Sequence, residues 1–85
     1  MFVKVSLDYE WYGPQKDVAF VGPFPGHSEA SKWQAAFQFL MLKEKLTGEV
    51  VVCNERERGA LYSGEETPEQ VHKKMYDALY KYCMG

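Results

Sequence analysis

The stretch SEASKWQAAFQFLMLKEKL, Ser28 to Leu46, carries apolar residues at helical spacing on two opposite sides. Trp33, Phe37, Leu40 and Met41 lie on one side, and Ala35, Phe39, Leu42 and Leu46 on the other. At about 100° per residue the two stripes are centred roughly 170° apart. One stripe is enough to cover a sheet. The second requires another helix, another subunit or a foreign protein. Ser28 reads as the N-cap, Glu29 favours the positive end of the helix dipole, and Gly48 occupies the place of a left-handed closing residue.

The segments flanking this helix read as strands. Val3, Val5, Leu7 and Tyr9 alternate with Lys4, Ser6 and Asp8, the pattern of a half-buried strand. After a loop containing Gly13-Pro14, Asp17 to Val21 forms a second strand, with Val18 and Phe20 on one face and Ala19 and Val21 on the other. Gly22-Pro23 ends it. Beyond the helix, the β-branched run Val50-Val51-Val52 predicts a central strand covered on both faces over Glu49 to Asn54. Glu55-Arg56-Glu57-Arg58 reads as a solvated hairpin end, and Ala60 to Ser63 as a short fourth strand.

Thr67-Pro68-Glu69-Gln70 combines an N-cap Thr, a Pro at the first helical position and a Gln that completes a capping box. The second helix should run to about Cys83, with Val71, Met75, Ala78, Leu79 and Tyr82 inward and Tyr76 and Tyr80 on a second stripe. The expected fold is a single α+β domain over residues 1–85, ββαβ(β)α. It is a two-layer sandwich, with a three- or four-stranded antiparallel or mixed sheet and both helices on one face. Part of the first helix's second stripe should then meet the Tyr76/Tyr80 side of the second.

An 85-residue chain has room for one modest core. Its aromatic content of 15% lets a few large rings supply much of the buried area. A formal charge of −2 argues against a duplex-binding surface, which needs a basic excess. No apolar run approaches membrane-spanning length. Cys53 and Cys83 have no metal-ligand spacing, and with no signal segment apparent they read as two free thiols of a cytoplasmic protein.

No constellation of residues carries chemistry. Asp8 and Glu10 lie two apart at a strand end, the arrangement of an acid–base pair, but also of an ordinary solvated edge. His27 and His72 lack partners at ligand or triad spacing. Cys53 reads as a buried strand residue. Cys83 sits near a helix C-terminus, where the dipole disfavours the thiolate. No phosphate-binding loop, dinucleotide fingerprint or nucleophile elbow is present. The expectation is therefore a non-enzymatic protein without metal or cofactor.

Phe20-Val21-Gly22-Pro23-Phe24 followed by Ser28-Glu29-Ala30-Ser31-Lys32-Trp33 resembles a pattern in small uncharacterised proteins encoded by bacteriophages, particularly those of actinobacteria. The resemblance implies an accessory protein that binds a host protein or assembles with itself. The same strand end is similar to that of the glycan-binding SPOR domain, although that family begins strand-helix-strand and this chain opens with two strands. The expected function is a protein–protein interaction module whose partner is another protein or, in a homodimer, a second copy of itself. Its candidate contact residues are Trp11, Tyr12, Phe39, Leu42, Tyr76 and Tyr80. The alternative is single-stranded nucleic-acid binding through Lys73, Lys74 and Lys81 beside Tyr76 and Tyr80.

Overall fold

The computed structural model describes residues 1–8 and 16–84, without the side chains of residues 16, 17, 83 and 84. The elements run β1 (Phe2–Asp8), β2 (Lys16–Val21), α1 (His27–Glu44), β3 (Thr47–Cys53), β4 (Ala60–Tyr62) and α2 (Pro68–Met84). They form the expected α+β arrangement, a four-stranded mixed sheet in the order β3-β1-β2-β4. β1 pairs antiparallel with both β2 and β3, and β2 pairs parallel with β4.

Alternation along β1 divides the sheet into two faces. Val3, Val5 and Leu7 are buried, and with Ala19, Val21 and Val50 they form the floor on which both helices pack. From α1 come Ala30, Trp33, Phe37, Leu40 and Met41, at the three- and four-residue spacing of one helical face. From α2 come Val71, Met75 and Leu79. Trp33 stacks on Phe37, with ring centroids 5.3 Å apart, and its indole N–H donates to the Glu66 carbonyl at 2.7 Å. That bond satisfies the ring's one polar group and ties α1 to the segment entering α2.

The connection from β3 to β4 does not form a hairpin. The two strands lie at opposite edges of the sheet, so residues 54–59 cross β1 and β2 on the face away from the helices. Lys4 and Glu57 form an ion pair there at 3.5 Å. A Cβ at Gly59 would lie 2.9 Å from the Val18 carbonyl oxygen and 3.1 Å from the Phe20 ring. The crossing segment thereby seals Phe20, fully buried although it points away from the main core. Both faces of β2 are covered, as its sequence suggests.

Several local expectations are corrected. The Val50-Val51-Val52 run lies at an edge, and the alternating β1 is central. α1 begins at His27 with Gly26 as N-cap, so Ser28 lies inside the helix and caps nothing. Its left-handed closing residue is Lys45, at φ 55°; Leu46 N–H returns to the Met41 carbonyl at 2.8 Å and Lys45 N–H to that of Leu42 at 3.4 Å. Gly48 serves another purpose. Its φ is 153°, and a Cβ there would run into the Ser6 carbonyl oxygen of the neighbouring strand. Ala78 is exposed, as is Tyr82, because α2 buries a narrower stripe than its composition suggests. The capping box stands as read: Thr67 N–H donates to Gln70 Oε1 at 3.0 Å, and Gln70 N–H to Thr67 Oγ1 at 3.2 Å.

Candidate interaction surface

The second stripe of α1 is not covered by α2. Leu42 is 81% exposed and Phe39 71%, and Ala35 is also exposed. The expectation that this stripe meets the Tyr76/Tyr80 side of α2 is therefore corrected. Only Leu46, beyond the end of the helix, turns partly into the core.

The Leu42 side of α1 stands beside the open edge of β3. Between them lies a groove of about 620 Å³, whose walls include Gln38, Met41, Leu42 and Leu46 and whose floor is residues 48–51. The ladder determines which backbone groups face into this space. Gly22 N–H donates to the Tyr62 carbonyl at 3.0 Å, so in the parallel β2–β4 ladder Phe20 directs its backbone toward β4. Ala19 and Val21 then direct theirs toward Val5 and Val3 of β1. Lys4 and Ser6 bond Val51 and Glu49 of β3, leaving Gly48, Val50 and Val52 with N–H and C=O directed off the edge of the sheet. The bond from Gln34 Nε2 to the Val50 carbonyl at 2.7 Å agrees with this assignment.

No family model, curated protein or solved structure matches this chain.

Tyr76 and Tyr80 form a second, separate surface on α2. Both are about half exposed, and their rings stack at 6.5 Å with planes 18° apart. Lys73 lies on the same helical face at the three- and seven-residue spacings. Lys74 is paired with Glu66. Lys81 is exposed near the end of the helix. The three lysines thus do not converge on the tyrosine pair. Trp11 and Tyr12 lie outside the described residues, as does Glu10.

The candidate chemical groups remain scattered. His27 is exposed, and its Nδ1 shares a hydrogen bond with Ser31 Oγ at 3.2 Å. His72 is half-buried on α2; burial lowers its imidazole pKa, and the charge of Glu44 partly opposes that shift. Cys53 is half-buried rather than fully buried, at the end of β3. Its thiol is free and held above its ordinary pKa by burial, with Lys4 opposing and Glu57 reinforcing. Among the described residues, no three His, Cys, Asp or Glu side chains are grouped to hold a metal ion. No helix there is long and apolar enough to cross a membrane.

The two-stripe pattern of α1 marks Phe39 and Leu42, and both side chains are exposed. No such pattern marks the β3 edge, whose outward backbone groups follow from strand order and have no side-chain signature.

Proposed function

We propose that this chain is a non-enzymatic protein-interaction module whose contact surface is the Phe39/Leu42 ridge and the adjoining β3 edge. The observation that carries this reading is the 81% exposure of Leu42 directly beside the open outer edge of a seven-residue strand. An exposed, flat, β-branched edge invites pairing with another chain unless it is covered. Exposed apolar side chains continuous with such an edge are typical of contact surfaces. A partner bound here would be held by occlusion and burial, without chemistry on it. The resemblance to phage-encoded proteins favours a cytoplasmic accessory role, with a host protein or a second copy as the partner.

The Tyr76/Tyr80 stack supports the nucleic-acid alternative, since parallel rings beside a lysine provide a platform for bases. The Lys74–Glu66 pair and the net acidity weigh against it.

The test is a Phe39→Glu/Leu42→Glu variant, altered only at exposed positions. The wild-type chain should associate with itself or retain specific proteins on an immobilised column, and the variant should lose both. Equal behaviour of the two chains in sedimentation and in capture overturns the reading. A complex with single-stranded oligonucleotides that weakens steeply with salt would instead favour the alternative.

A further inference from the structure

Resting on that reading, we infer that the occupant of the groove is a second copy of this chain, added antiparallel along β3 in a register centred on Val50. The outward groups assigned above fix this register. A strand pairing with itself about a two-fold axis at Val50 sets Val50 opposite the partner's Val50 and Gly48 opposite the partner's Val52. Every outward-facing residue, Gly48, Val50 and Val52, then falls in a hydrogen-bonded pair, and each bonds through both its N–H and its C=O. The Val50 oxygen already accepts from Gln34 and has a second lone pair for the partner.

Side chains fit the same register. Gly48 leaves space opposite the partner's Val52. On the far face Glu49 lies opposite the partner's Val51, so like charges are not set directly across from one another. The ends are complementary as well. Antiparallel pairing brings Lys45, just before the strand, toward the partner's Glu55, just after it.

The two-fold axis also brings the two α1 helices alongside each other with their Leu42 sides facing. The same patch thus meets itself, as a two-fold dimer requires. The ridge adds area that strand pairing alone lacks. Leu42, 81% exposed, lines the groove itself. A standard interface buries roughly 800 Å² per partner. The short edge at the other side of the sheet does not compete, since β4 has three residues against seven in β3.

The experiment uses charge to read the register. Val51 is exposed and sits opposite Lys4 within the monomer, so Val51→Glu leaves the fold intact. In the dimer it sets one glutamate opposite the partner's Glu49 on each side of the two-fold axis. Sedimentation equilibrium should show a wild-type dimer, roughly tenfold weakening in Val51→Glu, and recovery in Glu49→Lys/Val51→Glu, where each lysine faces a glutamate. Amide exchange at Gly48, Val50 and Val52 should slow as concentration rises.

A chain that stays monomeric at all concentrations overturns the second copy as occupant; the interaction reading itself then stands or falls on capture by wild type but not by Phe39→Glu/Leu42→Glu. A dimer indifferent to Val51→Glu, or one whose three amides exchange at the monomer rate, overturns the β3 pairing while leaving the ridge as the interface.

Discussion

The side-chain amide of Gln34 donates to the Val50 carbonyl at 2.7 Å, joining the middle of α1 to the open edge of the sheet. Along this edge every second residue faces outward, and Gln34 fills one of those acceptor positions. Its removal should have two separable effects. Gln34→Ala should destabilise the fold by about 0.5–1.5 kcal/mol, the ordinary net value of one such bond, measured by urea unfolding at a concentration low enough to exclude association. Self-association should not weaken, because a carbonyl released from Gln34 is fully available to a partner strand.

Lys45 and Gly48 exchange the roles that their residue types suggest, and this yields a pair of opposite predictions. Lys45 adopts the left-handed conformation at φ 55°, which costs roughly 1–2 kcal/mol for a residue with a Cβ. Lys45→Gly should therefore stabilise by about 1 kcal/mol. Gly48 has a φ of 153°, and an added Cβ would also lie 2.9 Å from the Leu7 Cα. Gly48→Ala should destabilise by at least about 2 kcal/mol, the sum of a disallowed backbone and a clash with the central strand. Urea midpoints for the two variants on opposite sides of wild type would bear this out; a shift in the same direction would refute it.

Phe20 tests the crossing segment. It is fully buried, yet its ring belongs to the face opposite the helices, where residues 54–59 pass over it. Phe20→Ala should cost about 3–5 kcal/mol, as for any large buried ring, and Phe20→Leu markedly less. Amide exchange in residues 54–62 should accelerate more than in α1 or α2, because the lost contacts are those holding the crossover down. A uniform acceleration would mean that the segment is not a separate layer.

The features legible from the sequence are those whose cause lies within a few residues. Thr67 and Gln70 satisfy each other's backbone across three positions, so the start of α2 can be read directly. The alternation of Val3, Val5 and Leu7 is likewise a property of one strand. Strand order is not local. Val50-Val51-Val52 has the composition of a central strand, and its place at the edge depends on whether residues 54–59 turn back or cross the sheet. A short charged loop reads the same in either case. The site divides along the same line. Phe39 and Leu42 were marked by helical spacing, whereas the outward groups of Gly48, Val50 and Val52 follow from a hydrogen bond between Gly22 and Tyr62 on the far side of the sheet.

His72 makes stability depend on pH in a definite direction. Burial disfavours the imidazolium and lowers the pKa below the ordinary value of 6.5, while Glu44 pulls it partly back. The unfolded chain therefore binds the proton more readily than the folded one, and stability rises with pH wherever the two differ. The contribution of the neutral ring is fully present above the unfolded value of 6.5 and is progressively lost as pH falls toward and through the lower folded value. Carboxylates titrate in the acid range too, so the readout is a difference. Between about pH 7.5 and about pH 5, wild type should lose more stability than His72→Gln, which carries no proton across this window. Glu44→Gln should widen the loss, since it removes the charge that favours the imidazolium. Parallel urea-midpoint profiles for wild type and His72→Gln would mean that the ring titrates as it does in the unfolded chain, and the packing of α2 would then owe nothing to a neutral histidine.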